Sequence, residues 1–445
     1  MFPNPQDALP LPRQPNLEQY KKLAKELIKA CKSGEPDAIR DWASRWVGAL
    51  VKSAGLTMTP GLPARTDRWA GLVGGFAKRK LASASDREAK CALGHAQFII
   101  ARSHGFESWP KFAKHVEGLA TAKSAVSKFE AAADAIVAGD AGALRRLLRE
   151  DPGLIRSRST REHRATLLHY VSANGVEGYR QKTPKNAVQI AETLLKAGAE
   201  VDAETDVYGG RATTLGLTAT SIHPEKSGVQ NELMQLLLNH GASMDRLGVA
   251  GNRQSAVMGC LANGRGKAAE FLAARGARLD LETGAGAGRL DVVKSFFNQD
   301  GTLNTGATKI QLQRGFVWAC QFGRNEVVEF LLERGADLRD QAGTGQTGLH
   351  WAVVGGQLST IKLLLDRGAP LEEINEHGGT VLGQAGWSFI NGDPVSDYVP
   401  IFEVLLAAGA KIEDGWLSWL EKQEGRPAAA KELLGELLRR YGAKS

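Results

Sequence analysis

The apolar residues of this chain recur at three- and four-residue spacings along most of its length, the period of helices that bury one face. Asn16 can cap a first helix in which Leu17, Tyr20, Leu23, Leu27, Ile28 and Cys31 share a side. Lys21, Lys22, Lys25, Lys29 and Lys32 take the intervening positions, which gives the helix a basic outer face. Gly34 ends it, and Pro36 can open a second helix with Ile39, Trp42, Trp46 and Leu50 on one side. Residues 54–65, containing Gly55, Pro60, Gly61 and Pro63, read as a loop. Ser85 and Glu88 stand in capping-box relation and predict a helix start running through Ile99 and Ala101. Gly105 closes that helix, Phe106 can pack back on its last turn, and Ser108 with Pro110 opens the next. The prolines of residues 1–15 predict a disordered or extended tail.

From about Lys128 the helical pattern acquires a longer period. Gly323 and Gly356, Gly335 and Gly368, and Trp318 and Trp351 are each 33 residues apart. One such unit holds Thr347, Leu349, His350 and Ala352, then Gly356, a Leu-rich helix and a closing Gly-Ala pair. Glycines between paired helices also mark units at Gly139, Gly175, Gly264 and Gly288, with diverged units at 208–247 and 377–412.

A period of 33 with this Thr-x-Leu-His-x-Ala run resembles the ankyrin-repeat family over about two thirds of the chain. The resemblance implies an all-α fold, an ankyrin solenoid of about nine helix pairs preceded by a small helical domain. The passage 96–116, with Gly105, Phe106, Ser108, Trp109 and Pro110, looks like the helical module that precedes ankyrin repeats in many bacterial proteins. The expected organisation is a tail at 1–15, a basic helical module at 16–121, repeats at 122–412 and capping helices at 413–445.

Departures from the period locate insertions at 176–186, 223–228 and 390–397, which in a solenoid map to loops on one face, often the binding face. The interval from Gly276 to Gly301 is short, so the connecting finger before Leu281 is expected to be nearly absent. The resemblance assigns His169 and His350 to hydrogen bonds with the neighbouring loop, and neither is a catalytic candidate. The next residue in each unit begins the face toward the concave groove. Tyr170, Trp318, Trp351 and Trp387 are therefore the expected partner-binding anchors, because large aromatics dominate interface energetics. Arg339, Asp340, Gln341, Glu373, Asn375 and His377 at the finger tips would flank them.

Composition narrows the function. No apolar run approaches the ~18 residues of a membrane helix, and the chain starts without a signal-peptide pattern, so a cytoplasmic location is expected. Cys31, Cys91, Cys260 and Cys320 have no paired spacing and read as reduced buried thiols. No nucleophile elbow, phosphate-binding glycine loop or metal-ligand spacing occurs, so no enzyme, cofactor, metal or small-molecule substrate is expected. The leading expectation is a scaffold that binds a protein partner. Charge supplies an alternative: residues 1–121 carry 19 Lys+Arg against 11 Asp+Glu, whereas the remainder is nearly balanced. That module could dock on nucleic acid or an acidic surface, with Lys111 and Lys114 meeting phosphates.

Overall fold

In the computed structural model, which describes residues 4–12, 14–53, 62–82, 91–245, 255–392, 397–423 and 426–444, Asn16 caps as its sequence requires. Its side chain accepts from Glu18 N at 2.9 Å and starts α1 (Leu17–Ser33), which ends at Gly34 with φ 74°. Then come α2 (Ala38–Ser53), α3 (Leu62–Ala82), α4 (Leu93–Ser103) and α5 (Trp109–Leu119). Their apolar faces meet in one core around Trp42, Trp46, Trp69, Ile99, Phe106 and Phe112. The lysines of α1 face solvent, as the spacing predicts. The proposed capping box at Ser85 lies outside the described residues; α4 itself begins later, at Leu93.

Two expectations for this module are overturned. Residues 4–12 are not a disordered tail: Pro5–Asp7 form a 3-10 turn, Asp7, Ala8 and Leu9 are buried, and Leu9 N donates to Ser103 O at 2.8 Å. An apolar Ala-Leu pair gave the segment something to bury, and the prolines only fixed its extended shape. Nor are all the thiols reduced: Cys31 and Cys91 form a disulfide, because the end of α1 lies against the chain leading into α4. Cys260 and Cys320 are buried and take no part in this bridge.

The chain divides into two units, Met1–Gly259 and Cys260–Ser445. The first continues with α6 (Ala125–Ala138), α7 (Ala141–Glu150), a 3-10 helix Leu167–Ser172, α8 (Ala187–Lys196), α9 (Thr214–Thr220), α10 (Ile222–Ser227) and α11 (Gln230–Asn239). A two-residue antiparallel pairing, Glu204 with Thr213 and Thr205 with Ala212, is the one named sheet among the described residues. The division falls within α12 (Ala256–Ala262), inside the span read from sequence as one repeat array.

The second unit holds α13 (Gly266–Ala273), α14 (Leu281–Gly286), α15 (Leu290–Lys294), α16 (Lys309–Gln321), α17 (Asn325–Glu333), α18 (Gly348–Val354), α19 (Leu358–Asp366), α20 (Val381–Asn391), α21 (Val399–Ala407), α22 (Trp416–Glu421) and α23 (Ala428–Arg440). Inner helices α14, α16, α18 and α20 stack in sequence, with α17, α19 and α21 behind them. Glycine makes the close stacking possible: a Cβ on Gly348 would lie 2.7 Å from the Phe316 ring. The marker glycines between paired helices, Gly139, Gly175, Gly264, Gly288, Gly323 and Gly356, all have φ between 67° and 79°, a region other residues enter at a cost. Seven residues, 274–280, join α13 to α14, whereas fourteen, 334–347, join α17 to α18, so the short unit lacks its finger.

Candidate interaction face

The face is built from the repeat motif. Thr347 caps α18: its N–H donates to His350 Nδ1 at 3.3 Å, and its hydroxyl lies 2.9 Å from the same nitrogen. Backbone of the following loop, Gly379 for His350 and Ala203 with Ala212 for His169, favours the charged imidazole. Burial outweighs it, holding His350 below its ordinary value and His169 at about 3. Both histidines are thus neutral and structural.

Trp318 of α16 and Trp351 of α18 lie beside each other, ring centroids 6.4 Å apart and tilted by 48°. Trp318 stacks on Phe322 and donates from Nε1 to Glu282 Oε1 at 3.0 Å. Burial raises the Glu282 carboxyl, and the indole hydrogen bond pulls it partly back. Both indoles are half-buried, so they serve as wall and as packing. Trp387, one turn further along α20, is 58% exposed.

Trp387 separates two clefts that share Gly383. The first, of ≈ 560 Å³, lies toward Trp351 and includes Thr344, Asn375, His377 and Gln384. Its floor is a fixed polar chain: Thr344 Oγ1 donates to Gln346 Oε1 at 2.7 Å, Gln346 Nε2 to Gln384 Oε1 at 3.1 Å, and Gln384 Nε2 to Ser388 Oγ at 3.4 Å. The second, of ≈ 390 Å³, lies toward Trp416 and Trp419, with Glu413 and Asp414 at its edge. Sequence reasoning missed Trp416 and Trp419, although their three-residue spacing in a terminal helix was a readable signal.

The finger residues divide into two kinds. Arg339 pairs with Glu373 at 2.9 Å, Gln341 Nε2 donates to Ile374 O at 3.3 Å, and Asp340 and His377 are exposed. Ile374, which the sequence reading passed over, is a large exposed apolar side chain at the same tip. Asn375 is buried instead: its Oδ1 accepts from His377 N at 2.9 Å and Gly379 N at 3.0 Å, pinning the turn. An acceptor spent on two backbone donors is not available to a partner.

Tyr170 is likewise no anchor. It is fully buried, edge-on to Phe129, with the Arg180 guanidinium 5.8 Å from its ring centroid. The cause is the insertion at 176–186, expected to be a binding loop: Val176, Glu177 and Arg180 are buried and roof the position that Tyr170 would have opened. Beneath them lies an ionic cluster the sequence did not reveal. Arg161 contacts Glu130 at 2.6 Å and Glu177 at 3.0 Å, and Arg180 contacts Glu130 at 2.8 Å. The paired guanidinium groups hold Glu130 down at about 2 and Glu177 well below its usual range, against the burial that would raise both.

On the basic module, Trp109 is partly buried, Phe112 is in the core, and Lys111 is paired with Glu107. No group of three metal-ligating side chains occurs among the described residues, and no helix among them is long and apolar enough to cross a membrane.

Residues 316–414, which carry Trp318, Trp351, Trp387 and the finger residues, match the family model described as ankyrin repeats (3 copies). Among solved structures the chain is similar to the crystal structure of the human ASB11 ankyrin repeat domain, at 24% identity over 63% of this chain and 99% of that one, with a TM-score of 0.33. No curated protein matches the chain. The 316–414 segment thus matches ankyrin repeats, modules that generally serve protein–protein interaction.

Proposed function

We propose that this protein is a non-enzymatic interaction scaffold whose second unit binds a protein segment along its concave face, across Trp351 and Trp387 and against the fingers bearing Arg339, Asp340, Gln341, Glu373 and His377. The observation that carries the reading is Trp387: a Trp more than half exposed, of the residue type that dominates interface energetics, stands between two clefts. The ring is held on a rigid helix, so little ordering is needed when a partner arrives. Trp318 braces the wall from behind through Glu282. The Cys31–Cys91 disulfide favours an oxidising compartment over the cytoplasm as the place where the protein works.

The test is capture of partners by the full chain, comparing the native protein with Trp351→Ala and Trp387→Ala. The reading expects a specific partner retained by the native protein and lost by at least ~10-fold in affinity with Trp387→Ala, a hot-spot loss of ~1.4 kcal/mol or more. Unchanged capture by both variants, with folding intact, would refute it.

A further inference from the structure

The cleft on the far side of Trp387 differs in chemistry from its neighbour. Three indoles bound it: Trp387 from α20 and Trp416 and Trp419 from α22. The last two meet edge to face, centroids 5.2 Å apart at 69°, and Trp416 is fixed from behind by Phe402 at 5.9 Å, again edge to face. Their tips are seated by the absence of a side chain at Gly386, where a Cβ would lie 2.9 Å from Trp416 and 3.3 Å from Trp419. The cleft is therefore a defined shape and not a chance gap between loops.

Its charge has one sign. Glu413 and Asp414 are in its lining, both exposed, and among the described residues no basic side chain lines it. Two neighbouring cations are turned to other tasks: Lys431 donates to Gln423 O at 2.9 Å, and Arg426 lies 5.1 Å from the Phe389 ring centroid. Indole faces carry negative potential and attract cations, most strongly when carboxylates add to the field. A flat guanidinium can stack on one indole while its N–H groups reach a carboxylate, which an ammonium does less well.

We infer that this cleft is a binding site for an arginine side chain of the partner segment, stacked on Trp387 and held by Glu413 and Asp414. The inference rests on the interaction reading of the same face and deepens it: a basic segment would cross from the Trp351 cleft and place an arginine beside Trp416 and Trp419.

The experiment uses the full chain and two blocked tripeptides, Gly-Arg-Gly and Gly-citrulline-Gly, which differ in charge and hardly in shape, with binding read by Trp fluorescence and by NMR of the peptide. The expected result is saturable binding of the arginine peptide, at least ~10-fold weaker binding of the citrulline peptide, and loss of the preference in Trp387→Ala and in the double variant Glu413→Gln, Asp414→Asn. Equal binding of the two peptides, no binding of either, or a preference that survives the double variant would overturn it. Circular dichroism on each variant separates loss of the site from loss of the fold. Trp351→Ala distinguishes the two claims: the arginine preference should survive it, while capture of the whole partner should weaken.

Discussion

Arg161 Nη1 lies 2.6 Å from Glu130 Oε1, and both side chains are nearly sealed from water. Glu130 also accepts from Arg180, and Glu177 closes the set, so the two sealed carboxylates are matched by two guanidinium groups, while the largely exposed Asp134 pairs with Arg180 from the rim. Balance is what makes burial tolerable, since an unpaired buried ion costs several kcal/mol. Glu130→Gln keeps the shape and removes one charge. We expect it to lower the unfolding free energy by about 3–5 kcal/mol in urea titrations. A loss below ~1 kcal/mol would show that water already compensates these charges.

Acid should destabilise the first unit before ordinary carboxylates titrate. His104, His115 and His169 are each lowered to about 3, chiefly by burial, with nearby arginines adding to the effect. Unfolded histidine titrates near ~6.5, so between that pH and ~3 the unfolded chain binds more protons than the folded one. The stability is fully present above that window and is lost as pH falls through it, at up to ~1.4 kcal/mol per pH unit for each histidine. Glu130 and Glu177, held down in the fold, act in the same direction at lower pH. Denaturation midpoints measured from pH 7.5 to 4 should therefore decline steadily; a flat profile to pH 5 would contradict it.

Gly178 reports on the N-terminal segment. A Cβ there would stand 2.2 Å from Gln6 O, and Gln6 also accepts from Tyr208 through its side chain at 2.8 Å. Gly178→Ala must displace residues 4–12 or shift the insertion that roofs Tyr170. The expected outcome is faster proteolysis near the N-terminus together with a lower melting temperature. Unaltered cleavage would mean that the segment is held by Leu9 and Asp7 alone.

The second unit was legible because its repeats are regular. A Trp one position after His350, and another one turn later in the next unit, could be assigned to a face by counting alone, and the glycine markers have the backbone that counting required. Tyr170 obeyed the same count and failed, because the count cannot see that a later insertion folds back over the residue. The Arg161 cluster was invisible for a related reason: its buried charged members come from three stretches of the chain, around residues 130, 161 and 177–180, and charge in a sequence looks solvated until the chain closes around it. The Cys31–Cys91 pair, 60 residues apart, followed no motif spacing.

That disulfide offers a clean thermodynamic handle. Closing a loop of this length removes unfolded-state entropy worth about 4 kcal/mol in the chain-entropy estimate. Adding reductant, or replacing Cys91 with Ser, should lower the melting temperature of the first unit. The second, whose two cysteines are buried and lie outside this bridge, should melt unchanged in reductant. A shift of both transitions, or of neither, would count against the bridge.

Stability and binding can be set against each other at Gly383. It lies in the first turn of α20, where Thr380 accepts from its N–H at 3.2 Å. A Cβ there would meet nothing nearer than Thr380 Oγ1 at 3.7 Å. Alanine in a helix is favoured over glycine by about 0.5–1 kcal/mol, so Gly383→Ala should raise the melting temperature slightly. Gly383 also lines both clefts flanking Trp387, and the added methyl narrows each of them. Partner affinity should fall while the fold gains, a combination that damage to the structure cannot produce. If affinity held or rose with stability, the clefts beside Trp387 would not be where the partner sits.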